Sequence, residues 1–179
     1  MAPDLRRLGG RRLNDGGAFA LHRDYLLAPS GELLVREVIR HPGSVVVVPW
    51  TGSAVALVEQ YRHPVGREIL ELPAGKLDID GETPEAAASR ECIEEVGLAP
   101  GSLTRIHRAY ASPGYSDEVM HVFLAEDLDE VATDPQGFEE RHARIVWLDG
   151  TEVSDGLRDG RFEDAKTILG LQSLLRDLP

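Results

Sequence analysis

Only one cysteine, Cys92, stands in the chain, which excludes an intrachain disulfide and any metal centre built from clustered thiolates. Long apolar runs are missing too. None approaches the roughly 18 residues that cross a bilayer, and the opening Met1-Ala2-Pro3-Asp4-Leu5-Arg6-Arg7 lacks the apolar stretch of a secretion signal. No membrane partner is expected, and the expected location is cytoplasmic. Positive charge is scarce: 19 Lys and Arg stand against 31 Asp and Glu, a net charge of −12. Nonspecific nucleic-acid binders need clustered cations to displace phosphate counterions, so no nucleic-acid partner is expected. A phosphorylated small molecule would have to be met locally, by a metal ion or a few arginines. Internal repeats and low-complexity segments are absent as well.

What remains is ordinary for a globular chain: 42% hydrophobic and 28% charged residues over 179 positions, enough to bury one substantial core. Residues 1–18 mix Arg, Gly and Asp without an apolar period and read as a flexible leader, leaving residues 19–179 as a single domain. Strand-like, β-branched runs cover residues 33–39, 45–49 and 54–60, separated by turn residues, with further strands expected at 104–110, 119–125 and 143–148. Two helices are expected. One spans 84–96, and the other starts near Asp164 and sets Ile168, Leu171, Leu174, Leu175 and Leu178 at helical spacing. Strands with few helices between them indicate an α/β chain with a mixed sheet covered by helices, not a doubly wound parallel sheet. The charge run Glu126-Asp127-Leu128-Asp129-Glu130 reads as a solvated loop.

The first helix carries the chemistry. Thr83 suits its cap, Pro84 its first position and Glu85 its first turn, while Gly97 is a natural stop. At 100° per residue, Ala88, Ser89, Cys92, Ile93 and Val96 fall on one side and Glu91, Glu94 and Glu95 share the other. Three acids in the C-terminal half oppose the helix dipole and repel one another, each effect costing a few tenths of a kcal/mol when exposed. A hard divalent cation such as Mg²⁺ would convert that repulsion into coordination, with substrate phosphates among its other ligands. A solvated acidic face is the competing reading of the charge pattern alone.

The flanking residues separate the two. Gly75-Lys76-Leu77-Asp78-Ile79-Asp80-Gly81-Glu82, followed by Arg90-Glu91-Cys92-Ile93-Glu94-Glu95-Val96-Gly97-Leu98, resembles the Nudix box, G-x5-E-x7-R-E-U-x-E-E-x-G-U with U aliphatic. Two positions depart from it: the first spacer holds six residues, and Cys92 occupies an aliphatic position. The extra residue falls in a loop, and cysteine packs as a small hydrophobe. The resemblance implies an α/β/α sandwich around a central mixed sheet and hydrolysis of a nucleoside diphosphate linked to another group. By position, Glu91 and Glu95 would be principal metal ligands and Glu94 a further ligand or outer support. Gly75, Glu82 and Arg90 would support the loop and helix, with Glu82 alternatively reaching a second metal.

Outside the box, Glu59-Gln60-Tyr61-Arg62 and Glu71-Leu72-Pro73-Ala74-Gly75 resemble the ADP-ribose pyrophosphatase branch. That resemblance gives Arg62 the substrate phosphate and the Ala74 carbonyl a metal. An arginine fork suits a diphosphate because it donates two parallel hydrogen bonds. Ser112-Pro113-Gly114-Tyr115-Ser116-Asp117-Glu118 matches a substrate-lining loop of the same branch, putting Ser112, Gly114 and Glu118 at the substrate. The resemblance also offers Arg36 as a further substrate arginine and places the base that takes a proton from water in the stretch 137–142 before a late strand, on Glu139 with Glu140 as the alternative; the segment from Asp127 to Gly137 fits a loop that closes over substrate. Trp50, Tyr61 and Trp147 read as packing or interface residues, and His63 and His142 lack partners at zinc-ligand spacing.

The expected activity is therefore Mg²⁺-dependent hydrolysis of ADP-ribose to AMP and ribose 5-phosphate, with Mn²⁺ as a substitute ion. The alternatives are another nucleotide sugar such as GDP-mannose, a dinucleotide, or a Nudix-fold ligand sensor without catalysis. The resemblance further implies a homodimer to which the strands of residues 19–40 contribute.

Overall fold

The Gly- and Arg-rich stretch Arg6–Arg12, expected to belong to a flexible leader, is a β-strand, β1. The structure is a computed structural model that describes residues 4–14, 19–133, 137 and 140–177. Its chain divides into two compact units, residues 1–43 with 109–119 and residues 44–108 with 120–179. In the first unit β1 pairs antiparallel with β2 (Ala20–Leu27), which pairs antiparallel with β3 (Leu33–Arg40). What β1 lacks in apolar alternation is replaced by backbone pairing and charge. Asp24, 4% exposed on β2, accepts Arg7 Nη2 at 2.9 Å and Arg40 Nη2 at 2.6 Å. A Cβ on Gly10 would overlap the Asp24 carboxylate, so the glycine that made the stretch read as a loop is what lets the strand pass over a buried acid.

The second unit continues β4 (Ser44–Pro49), β5 (Ala54–Arg62), β6 (Arg67–Glu71), β7 (Ala74–Lys76), α1 (Pro84–Val96), β8 (Leu98–Tyr110), β9 (Val119–Glu130), β10 (Arg144–Asp149), α2 (Gly150–Asp159) and α3 (Ala165–Asp177), the last residues of β8 and the first of β9 falling in the first unit. One sheet has the order β7-β4-β9-β8 and is mixed, β4 running parallel to β9 and antiparallel to β7; the other, β10-β5-β6, is antiparallel. Val45 to Val48 are all fully buried because both faces of β4 are covered, which is why the strand reads as an unbroken apolar run. Alternate side chains go to opposite faces. Val46 and Val48 pack with Leu57, Val122, Val153, Phe162, Leu171 and Leu174, on the side of α2 and α3. Val45 and Val47 pack with Ala56, Val58, Phe123, Ala87, Ala88, Cys92 and Val96, on the side of α1. Each such valine contributes about 1.5–3 kcal/mol relative to exposure. Helices on both faces of the strands make the α/β/α sandwich that the sequence implied.

Helix α1 keeps its expected bounds, with the Thr83 side chain accepting from Ala86 N and Gly97 closing the last turn at φ 66°. Helix α3 begins one residue after Asp164, whose carboxylate accepts from Thr167 N at 2.9 Å; Leu178 lies outside the described residues. Helix α2 was not expected. Its capping box, Asp149 with Glu152, is well formed, and Val153 and Leu157, at i and i+4, face the core, but a ten-residue segment shows that apolar spacing only once. The acidic run 126–130, expected as a loop, extends β9, so the expected closing loop from Asp127 loses its first four residues to a strand. Among the described residues no helix is long and apolar enough to cross a membrane.

The acid-bearing helix ends at Gly97, and only glycine suits that position. Its N–H meets the carbonyls of Cys92 and Ile93, its carbonyl accepts from Val131 N at 2.8 Å, and a Cβ there would lie 2.8 Å from Val131 O. A left-handed non-glycine residue costs about 1–2 kcal/mol before that clash is counted. Gly97→Ala is expected to destabilise the chain by at least about 2 kcal/mol in urea unfolding; an unchanged midpoint would refute the requirement for glycine.

Candidate metal and phosphate site

The face of α1 that carries Glu91 and Glu95 lies against β7, and the approach is as close as a polypeptide allows. Glu91 is 8% exposed, and its carboxylate fills the space where a Cβ on Gly75 would stand. Only glycine admits it. One turn along, Glu95 Oε2 accepts Ala74 N–H at 3.1 Å. Cys92, three residues from Glu95, is turned to the core and fully buried; burial and then the charge of Glu95 push its thiol up to about 12, so it is an inert packing group.

The like charges are reconciled by Arg90. Its Nε and Nη2 donate to the two oxygens of Glu82 at 2.9 and 3.0 Å, while Nη1 donates to Glu91 Oε1 at 2.7 Å and Glu94 Oε2 at 3.0 Å. The hydrogen bond to Arg90 holds the Glu82 carboxyl below its ordinary range, and the same bond raises the Arg90 pKa. Arg90 thus ties Glu82, ahead of the helix, to Glu91 and Glu94 on it. Glu91, Glu94 and Glu95 do share one side of the helix, but not one point. Among the described residues no group of three or more His, Cys, Asp and Glu side chains is gathered closely enough to hold an ion. The donor chemistry nevertheless suits a hard divalent cation: carboxylates of Glu91, Glu94 and Glu95 beside the Ala74 backbone, with no thiolate or imidazole among them.

Arg62 closes β5, and its side chain is already engaged. Nε and Nη2 donate to Glu71 Oε1 and Oε2 at 2.8 and 2.7 Å, a bidentate pair. The side-on edge of the fork, Nε with Nη2, is thus occupied by a carboxylate. Lys166 Nζ on α3 also donates to Glu71 Oε2, at 2.6 Å, and lies 3.0 Å from Asp164. Burial opposes ionisation of Glu71, which is 2% exposed, but hydrogen bonds from Arg62 and Lys166 outweigh it and hold the carboxyl below its ordinary value. Sequence reading passed over Glu71, Asp164, Lys166 and Thr167 as functional candidates. Glu71 was visible only as a neighbour of Ala74, and nothing local ties Lys166 to a carboxylate 95 positions away.

The other expected substrate residues belong to the first unit. Arg36 is exposed on β3 and donates to its own neighbour, Val35 O, at 2.8 Å. Ser112 O accepts from Tyr115 N and Ser116 N, forming the turn that exposes Gly114. Glu118 lies 3.9 Å from His41 Nδ1. The loop is anchored by Asp117, a residue not singled out from sequence, which accepts Arg40 Nη1 at 2.8 Å and His41 N at 3.0 Å. Glu139 lies outside the described residues, and Glu140 opens the short 3₁₀ turn Glu140–His142. Trp50 is buried, as expected for packing, whereas Tyr61 and Trp147 are exposed.

The NUDIX domain model matches residues 40–170, which takes in the whole of this acidic helix and its partners. The chain belongs to the Nudix family. It is 36% identical to the ADP-ribose pyrophosphatase of Mycobacterium tuberculosis, over 94% of this chain and 82% of that protein. It is 34% identical to the ADP-ribose pyrophosphatase of Bacillus subtilis, over 94% and 91%. A GDP-mannose pyrophosphatase of Yersinia enterocolitica is 35% identical over 77% and 76%. Among solved structures, one described as an ADP compounds hydrolase superposes with a TM-score of 0.83 at 22% identity, covering 96% of this chain and 92% of the other, a likeness of fold. In this Nudix chain the box therefore has its helix and its glycine, and the six-residue spacer is absorbed between β7 and α1 without displacing Glu91 from Gly75.

Gly75→Ala is expected to expel the Glu91 carboxylate and lower kcat/KM about 100-fold, the scale of an ångström-sized misplacement, with an unchanged far-ultraviolet circular dichroism spectrum. Activity within about threefold of the parent would contradict the cradle. For Glu71 the sign is fixed by its lowered pKa: the stability it contributes is present above its ordinary 4.5 and is lost as pH falls through the lower, folded value. The stability advantage of the parent over Glu71→Gln is accordingly expected to be constant near neutrality and to shrink below pH 4.5 in denaturant titrations; an advantage that grows with acidity would reverse the assignment.

Proposed function

We propose that this Nudix enzyme hydrolyses ADP-ribose to AMP and ribose 5-phosphate with Mg²⁺ as its metal, Mn²⁺ being a substitute. The observation that carries the reading is the seating of Glu91 in the Gly75 cradle with Glu95 on the Ala74 N–H, which sets hard oxygen donors beside one strand edge. The relatives named ADP-ribose pyrophosphatase match almost the full chain and support the choice of substrate.

In this reading Glu91, Glu95 and Glu94, with the Ala74 carbonyl, hold the cation. The chemistry a bound Mg²⁺ supplies is neutralisation and Lewis-acid polarisation of the diphosphate oxygens. Arg62 offers its end-on edge to the same diphosphate, fixing it for in-line attack. Water adds to one phosphorus, the anhydride P–O bond breaks, and the proton lost by water passes to a carboxylate, Glu139 by position in the family or its neighbour Glu140. Arg36, Ser112, Gly114 and Glu118 line the substrate. The assembly is a homodimer to which residues 19–40 contribute; the exposed Leu33 and Val35 on β3 and Tyr25 on β2 support that part of the reading.

A substrate panel tests it. ADP-ribose is expected to exceed GDP-mannose and a dinucleotide in kcat/KM by about tenfold or more with Mg²⁺, a margin of roughly 1.4 kcal/mol in transition-state binding. EDTA is expected to abolish turnover, excess Mg²⁺ to restore it, and Glu95→Gln to lose it. A preference of that size for GDP-mannose would move the assignment to another nucleotide sugar, and metal-independent turnover would sink the mechanism.

A further inference from the structure

Four charged side chains that the mechanism leaves largely unexplained meet at the end of β6: Arg62, Glu71, Asp164 and Lys166. Their charges cancel, two positive against two negative. If the cluster only stabilised the fold it would be a poor device, because a buried ion pair costs desolvation that well-packed apolar residues of similar size avoid. What an ion network does supply is a fixed direction for its members.

The exposures are graded along the network. Side-chain exposure rises from 2% at Glu71 to 17% at Lys166 and 38% at Arg62. The anchor is buried and the guanidinium is the end that meets solvent. Arg62 loses several rotamers on binding Glu71 through both Nε and Nη2, and the plane of its fork is then set by the carboxylate plane. Glu71 is itself held from the other side by Lys166. The same helix start holds the adjoining backbone: Thr167 Oγ1 donates to Asp164 Oδ2 at 2.6 Å and accepts Leu72 N–H at 2.9 Å. Residues 71–74 therefore run from the anchor of Arg62 to Ala74, whose N–H holds Glu95. The Glu71 hydrogen bond is the main cause of the raised Arg62 pKa, with smaller contributions from the charges of Glu95 and Asp164.

We infer that Glu71 is a positioning residue for substrate phosphate: clamped by Lys166 from α3, it fixes the guanidinium of Arg62 so that the Nη1–Nη2 edge faces the diphosphate. Lys166 acts through Glu71 and does not touch substrate. The inference rests on the reading of Arg62 as the phosphate-binding arginine, and it extends the site to a helix that lies wholly beyond the family's signature segment.

Steady-state kinetics on Glu71→Gln, Lys166→Met and Arg62→Ala, singly and with each of the first two combined with Arg62→Ala, tests it on the full chain. A charged hydrogen bond of ordinary strength predicts that Glu71→Gln and Lys166→Met each raise KM for ADP-ribose about tenfold while kcat changes by less than about threefold, and that the inhibition constant for AMP rises with KM. In the Arg62→Ala background neither change is expected to raise KM further. A purely structural cluster would lower the melting temperature and leave KM and AMP inhibition unmoved at low temperature, and that result overturns the inference. So does a KM increase of equal size in both backgrounds. If Arg62→Ala raises KM and the two partner variants do not, this inference fails and the phosphate role of Arg62 stands; if Arg62→Ala leaves KM unchanged, that role fails and takes the inference with it. Should Glu71→Gln not fold, the more exposed Lys166→Met decides on its own.

Discussion

A carboxylate packed where a side chain's first carbon would otherwise be is the constraint on which the second unit is arranged. Glu91 reaches the β7 backbone only because residue 75 is glycine, and the rest of the buried side of α1 is small and apolar where it meets β4 and β5: Ala87, Ala88 and Cys92, all within about a turn of Glu91, are fully buried there. A helix can come this near a strand only with small residues facing the sheet and a glycine under the acid. The C-terminal turn then has to stop before it meets the chain at Val131, and Gly97 stops it.

Placing three acids on such a helix creates a repulsion that a cation on the same helix offsets. Arg90, on the helix itself, binds Glu82, Glu91 and Glu94 together. Arg62 and Lys166, from other elements, surround a different acid, the buried Glu71 that ends β6. The resulting surface is neither bare carboxylate nor neutral. It holds acids in fixed positions, each paired with a cation or a backbone N–H.

Much of this was legible before any coordinates. The bounds of α1, its caps, the shared side of Glu91, Glu94 and Glu95, and the unbroken Val45–Val48 run followed from period and capping, because helices and doubly covered strands are specified by residues close in sequence. The Arg90–Glu82 ion pair, eight residues apart, is local for the same reason. Misreadings fell where local pattern and tertiary cause part company. Arg6–Arg12 has the composition of a leader and is a strand because Asp24 and a neighbouring β-strand hold it. Residues 126–130 have the charge of a loop and continue β9 because their backbone is paired. Helix α2 has good caps and an apolar stripe one i, i+4 pair long, Val153 and Leu157.

By itself, then, the sequence determined the family, the acid-bearing helix and its ends, and the type of chemistry, since each is written in residues within one or two turns of one another. The tertiary structure decided what those residues face. That Glu91 sits over Gly75 while Glu95 binds Ala74, that the arginine fork of Arg62 is half occupied by Glu71, and that a lysine 95 positions away completes the pair are consequences of which strand and helix meet. Side-chain partners across such separations are set by packing of whole elements, and no local spacing encodes them.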